Sequence, residues 1–167
     1  MPDISIRPLT TSDSLIELTD LLHAAYRQLG ESGLRYSAVD QSPEVTRQRI
    51  ERGDCLVAVD GRRLVGTIVF YPADHAAGSP WYDRPDIAKL GQFGVHPALQ
   101  RGGIGQRLLL AVEARAAATG ATEIALDTAE AATHLVDWYA RRGYRFVEHA
   151  QWPGKTYRSV IMSKPVG

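Results

Sequence analysis

The residues of this chain best suited to chemistry lie in the run Phe93-Gly94-Val95-His96-Pro97-Ala98-Leu99-Gln100-Arg101-Gly102-Gly103-Ile104-Gly105-Gln106-Arg107-Leu108. The segment ending at Val95 reads as a strand, Pro97 turns the chain, and glycines 102, 103 and 105 let the backbone approach a ligand as a helix begins. Amides at a helix start have no partner within the helix and share its positive dipole end, so the turn suits an anion, with phosphate the expected guest. Two nucleotide motifs fail on spacing. No Lys-Ser/Thr follows the glycines, which removes the parts of a P-loop, and Gly103-Ile104-Gly105 runs into Gln106, Arg107 and Leu108 where a dinucleotide turn needs a third glycine. A purely structural glycine turn is the alternative.

Other chemistries find less support. The five histidines, at 23, 75, 96, 134 and 149, lack the close spacing of metal ligands, so no metal site is expected. Of these only His75, on a loop, is kept as a remote base candidate. The pattern Gly-x-Ser-x-Gly is absent, so a hydrolase nucleophile has no motif to sit in. The lone cysteine, Cys55, lies in Cys55-Leu56-Val57-Ala58-Val59 and reads as a buried strand thiol, because nothing near it in sequence stabilises a thiolate.

The elements that must position the turn follow from periodicity. Ile4, Ile6 and Leu9 begin a strand, and Thr11 or Ser12 caps a helix with Leu15, Leu18, Leu22 and Tyr26 on one face and Gly30 at its end. Ser42-Pro43-Glu44 opens a second, short helix. Strands 54–60 and 63–71 form a hairpin with Gly66 at a bulge, and 72–86 is a long loop. Strand 87–95 leads through the glycine turn into helix 103–119, capped by Gly120. Strand 123–128, helix 133–142 closed by Gly143, and strands 144–149 and 157–162 complete the chain. Hairpins first and interleaved helices later predict an α/β mixed sheet of about seven strands and four helices.

Composition narrows the class. A chain of 167 residues fits one domain spanning 1–167. Nineteen Lys+Arg balance nineteen Asp+Glu, so no long-range field gathers nucleic acid or an anionic membrane, and neither is an expected partner. No run approaches the roughly 20 apolar residues of a membrane span, and one cysteine fits a reducing compartment, so a cytoplasmic protein is expected.

Gln100-Arg101-Gly102-Gly103-Ile104-Gly105 resembles the phosphate-binding motif Gln/Arg-x-x-Gly-x-Gly/Ala of the GCN5-related N-acetyltransferase (GNAT) family, and the order of elements over most of the chain is also that family's. The resemblance implies a single GNAT domain with acetyl-CoA as cosubstrate. Backbone amides of Arg101, Gly102, Gly103, Ile104, Gly105 and Gln106 would hold the pyrophosphate, with Gln100 in the motif, and main-chain groups of Phe93, Gly94 and Val95 would pair with the pantetheine arm.

The resemblance also covers Leu126 to Tyr144, where Tyr139 stands four residues before Gly143 and is the implied acid for the departing thiolate. A phenol of pKa about 10 can supply a proton or hydrogen bond to a thiolate of pKa about 8.5. The alternative for Tyr139 is a core aromatic with a satisfied hydroxyl. Asp127, twelve residues earlier, is either the base that deprotonates the amine or a cap for the turn after its strand. Where many family members carry a Glu on the fourth strand this chain has the neutral Gln92, and Ala132 stands where the family often has an Asn. Tyr36 and Gln92 are the expected acceptor contacts, with Trp81 and Tyr82 as loop aromatics that either join them or fold back on apolar neighbours. The implied reaction is acetyl transfer to a primary amine, on a small molecule or a protein, by direct attack in a ternary complex. A noncatalytic acyl-CoA-binding module is the alternative. The terminal hairpin either supports a homodimer, the favoured expectation, or simply finishes the sheet.

Overall fold

The structure is a computed structural model, and it describes residues 3–73 and 78–167. Its elements run β1 (Ile4–Pro8), α1 (Leu15–Glu31), α2 (Pro43–Ile50), β2 (Asp54–Asp60), β3 (Arg63–Tyr71), β4 (Ile87–Val95), α3 (Ile104–Ala118), β5 (Glu123–Ala129), α4 (Thr133–Ala140), β6 (Arg145–Ala150) and β7 (Ser159–Pro165). Short 3-10 turns occupy Ser37–Val39 and Pro97–Leu99. The strands hydrogen-bond in the order β1-β2-β3-β4-β5-β7-β6, an open sheet. It is mixed: β4 and β5 are parallel, whereas β1/β2, β2/β3, β5/β7 and β6/β7 are antiparallel. The chain divides into two units, Met1–Tyr71 with Gln92–Val112, and Pro72–Gly91 with Glu113–Gly167.

In the first unit, Leu18 and Leu21 of α1 bury against Val57, Val59 and Leu64 of the β2/β3 hairpin. The cap of α1 is Ser14, whose hydroxyl accepts from the Glu17 amide at 3.1 Å, and not Thr11 or Ser12. The difference has a local cause. Asp13 accepts from both terminal nitrogens of the Arg7 guanidinium, at 2.7 and 2.8 Å, and from the Thr10 amide at 2.8 Å, which folds 10–13 into a turn before the helix can start. Gly30 also differs from expectation, since α1 runs on to Glu31 and Gly33, at φ +91, takes the left-handed position. Gly30 is small because of packing, a Cβ there lying 2.8 Å from Cγ1 of Val39.

The bulge anticipated at Gly66 falls beside it. Ala58 pairs with Gly66 and Val59 with Leu64, which leaves Val65 as the extra residue. The carbonyl of Val65 accepts from the His96 amide at 2.8 Å, fixing the chain just before the glycine turn. Gly66 itself faces α3, where an added Cβ would lie 3.1 Å from Cδ1 of Leu108 and 3.2 Å from Cγ2 of Ile104 and Cβ of Ala58. The buried stripe of α3 is Ile104, Leu108, Leu109, Val112 and Ala116.

In the second unit, Tyr82, Ile87, Ala125 and Ile161 form a buried cluster covered by Trp81, Val147, Ala150 and Trp152. The β4/β5 ladder pairs Ile87 with Glu123, Ala88 with Ile124 and Lys89 with Ala125. It stops there, although both strands continue. Gly120 and Gly143, at φ +85 and +97, close α3 and α4 as their positions in the sequence imply.

No helix among the described residues is long and apolar enough to cross a membrane. Overpacking a site as tight as Gly66 costs about 2 kcal/mol, about 6 °C in Tm for a chain of this size. Thermal unfolding of Gly66→Val is expected to show that loss, and an unchanged Tm would mean that α3 does not seat on β3 at this point.

Candidate active site

The glycine turn is held from both sides. Nε2 of Gln100 donates to the carbonyl of Val95 at 3.2 Å, and Nδ1 of His96 accepts from the Ala98 amide at 3.2 Å, so these side chains latch the turn to the strand end. The Gly102 amide donates to the carbonyl of Leu99 at 3.1 Å. The amides of Arg101, Gly103, Ile104, Gly105 and Gln106 meet no acceptor among the described residues, and the first amide of α3 to pair is that of Arg107, with Gly103. Gly103 sits at φ +83 with nothing within 4 Å of an added Cβ, so glycine is needed there for backbone conformation and the space above it is open. These donors suit an anion. Arg107 reaches back to the carbonyl of Ile4 at 3.0 Å, whereas Arg101 is exposed with no partner among the described residues.

On β4, Gly94 is buried, and a Cβ there would come within 2.8 Å of Cβ of Ala25 in α1. The Tyr26 hydroxyl donates to the Phe93 carbonyl at 2.7 Å, and Tyr36 packs its ring 5.5 Å from that of Tyr26. Gln92 has φ +49, the one non-glycine residue with positive φ among those described. Its side chain joins a buried polar chain that sequence periodicity gives no sign of. Nε2 of Gln41 donates to Oε1 of Gln92 at 2.9 Å and to Oγ1 of Thr46 at 2.8 Å, and Thr19 donates to Thr46 at 2.9 Å. His23 donates from Nε2 to the carbonyl of Gln41 at 2.7 Å, since a carbonyl only accepts.

In the second unit, Tyr139 is buried on α4, with edge-on contacts to Trp138 at 5.2 Å and Tyr144 at 5.8 Å. It lies near Tyr82 as well as Tyr144. Asp127 is exposed at the end of β5, yet both its oxygens are engaged. Oδ1 accepts from the Tyr82 hydroxyl at 2.7 Å and Oδ2 from Nε1 of Trp152 at 2.9 Å, with the two rings stacked at 5.9 Å. Tyr82, Asp127 and Tyr139 thus share one neighbourhood.

Tyr82 and Trp81 fold back on apolar neighbours, one in the core cluster and the other between Arg84 and Arg145 at 4.4 and 5.8 Å. Lys89, which no sequence motif singles out, is buried with Nζ 5.7 Å from the Tyr82 ring centre. Glu130 pairs with Arg158 and His149. Burial raises the pKa of Cys55, as expected of a strand thiol. His75 lies outside the described residues. Among the described residues no group of three His, Cys, Asp or Glu is placed to hold a metal.

Against known proteins, the profile of the Acetyltransferase (GNAT) family matches residues 15–144. The chain belongs to that family. Over 106 residues it is 27% identical to the uncharacterized N-acetyltransferase YvbK of Bacillus subtilis (strain 168), a stretch that is 64% of this chain and 62% of that protein. The fold is that of PH1933 from Pyrococcus horikoshii OT3, with TM-score 0.78, 23% identity and 98% of each chain covered. A GNAT family acetyltransferase from Elizabethkingia anophelis, solved with acetyl-CoA bound, superposes with TM-score 0.70 at 20% identity over 99% of each chain.

Three phenols of this GNAT chain are held in the neutral form. Burial pushes Tyr71 up to about 12, and burial with a neighbouring carboxylate, Asp127 or Glu113, raises Tyr82 and Tyr144 well above their ordinary value. A phenol whose folded pKa exceeds its unfolded value of about 10 contributes stability that is complete below that pH and is lost as pH rises through it. Tyrosinate absorbance of the folded protein at about pH 11 should therefore show at least Tyr71, Tyr82 and Tyr144 unionised, with stability falling above about pH 10. Full ionisation without unfolding would contradict the burial described.

Proposed function

We propose that this protein transfers the acetyl group of acetyl-CoA to a primary amine by direct attack in a ternary complex. The observation that carries the reading is the row of unpaired amides at Arg101, Gly103, Ile104, Gly105 and Gln106, in a chain of the GNAT family. Five donors at a helix start suit a pyrophosphate without needing a cation, and Arg101 is available to add one. The coenzyme supplies an acyl group activated as a thioester. Phe93, Gly94 and Val95 are the strand segment assigned to the pantetheine arm, and Tyr36 and Gln92 the acceptor contacts.

Attack by the amine needs a proton removed at nitrogen and one supplied at sulfur. Tyr139 is assigned the supply at sulfur, because a neutral phenol can protonate or hydrogen-bond the departing thiolate. Asp127 is assigned the removal at nitrogen. A carboxylate is the proton acceptor suited to this step, acting directly or through water, and Asp127 is exposed.

Ligand at about a hundred times its Kd stabilises a fold by about 2.7 kcal/mol, which is about 5 to 10 °C in Tm for a chain of this size. Acetyl-CoA should shift the wild-type Tm by that amount and leave a variant with Gly103→Val and Gly105→Val unmoved. No shift at saturation would remove the coenzyme. Tyr139→Phe should keep the shift while lowering acceptor-dependent thiol release about a hundredfold. Unchanged release would take Tyr139 out of the mechanism, and a shift with no acceptor-dependent release in wild type would favour the noncatalytic module.

A further inference from the structure

The buried polar chain of the first unit decides which atom Gln92 turns outward. Arginine only donates, so NH1 of Arg49, 3.2 Å from Oε1 of Gln41, fixes that end of the amide as oxygen and the other as nitrogen. The nitrogen then donates to Thr46 and to Oε1 of Gln92. Gln41 is 6% exposed and Thr19 and Thr46 are fully buried, so water does not offer these groups other partners. Polarity therefore runs from Arg49 through Gln41 to Gln92, whose oxygen is turned to Gln41 and whose NH2 is turned away from it. That NH2 meets no partner among the described residues and is not sealed from solvent. The residue that carries it is also the one non-glycine, among those described, held in a left-handed backbone, a conformation that persists only where its surroundings enforce it.

We infer that Gln92 is a specificity-determining donor that recognises a carbonyl or carboxylate oxygen carried by the acceptor amine, and that Gln41 is the positioning residue that keeps its amide in this orientation. The inference rests on the acetyl-transfer reading above. A donor at this place gives nothing to a bare alkylamine, whose ammonium group is itself a donor. It gives one hydrogen bond to an amine that bears a carbonyl oxygen, as amino acids, their amides and peptide N-termini do.

The test compares L-alaninamide with 1,2-dimethylpropylamine, in which a branched alkyl group replaces the carboxamide, at saturating acetyl-CoA. One hydrogen bond is worth about tenfold in kcat/KM, and wild type should favour L-alaninamide by about that factor. Gln92→Met removes the donor, and Gln41→Glu keeps the Arg49 contact while offering Gln92 an acceptor, which turns its oxygen outward. Both should abolish the preference. The Gln92 side-chain NH2 resonances, identified by their loss in Gln92→Met, should move when L-alaninamide is added to the coenzyme-bound protein and stay still with the alkyl analogue. L-alanine in place of the amide separates a carboxylate requirement from a carbonyl one. Equal kcat/KM for the two probes in wild type, a preference that survives Gln41→Glu, an equal loss on both probes in Gln92→Met, or NH2 resonances indifferent to L-alaninamide would each overturn the inference. If neither probe is turned over, the resonances alone decide. Absence of a thermal shift with acetyl-CoA would instead count against the acetyl-transfer reading.

Discussion

A left-handed residue interrupts the regular pleat of a strand, and β4 carries one at Gln92. Its pairing with β5 ends at Lys89, three residues earlier. From Gln92 onward further contacts hold the strand: Tyr26 on the Phe93 carbonyl, Ala25 against Gly94, Gln100 on the Val95 carbonyl and the Val65 carbonyl on the His96 amide. These contacts come from α1, β3 and the turn itself, and together they set where α3 starts. The open amides of the glycine turn are the result, since a helix that starts there cannot satisfy its own first donors.

The tight seats explain why small residues recur around this region. Gly66 admits the first turn of α3, and Gly94 admits α1. Gly103 differs in kind, having empty space and a positive φ. A larger residue is refused by neighbours at the first two positions and by its own backbone at the third. That distinction separates the glycines that build the scaffold from the one that sets the backbone of the turn.

Much of this is legible in the sequence, because strand and helix periods, the hairpin turn at Asp60-Gly61 and the glycines after α3 and α4 are local signals. The unreadable parts depend on partners that periodicity does not name. Nothing in the run around Gln41 announces that it will bridge Arg49, Thr46 and Gln92, the last of them 51 residues away. Ser14 rather than Ser12 is the cap because Arg7 claims Asp13, a competition between side chains that propensity alone does not register. Tyr82 and Trp81 read as loop aromatics with two possible fates, and only the cluster of Ile87, Ala125 and Ile161 decides between them. The turn that suits phosphate is visible as a motif, but that Gly102 spends its amide on Leu99 while its neighbours do not is a matter of geometry.

The chemistry follows from which groups are charged and which only direct a hydrogen bond. Gln92 carries no charge, and a carboxylate in its place would add an acceptor that the outward-facing NH2 of the present arrangement excludes. In the proposed reaction proton removal is therefore assigned to a group elsewhere in the chain, the carboxylate of Asp127, which accepts from Tyr82 and Trp152 and is exposed. Burial would have cost a carboxylate its charge; two directed donors fix its position while leaving it in reach of water. Tyr139, assigned the acid in the proposed reaction, shows the converse arrangement: a phenol is neutral until it gives up its proton and so can be buried among Trp138 and Tyr144. The roles proposed for Gln92, Asp127 and Tyr139 thus fall on residues whose surroundings differ in the way each role would require.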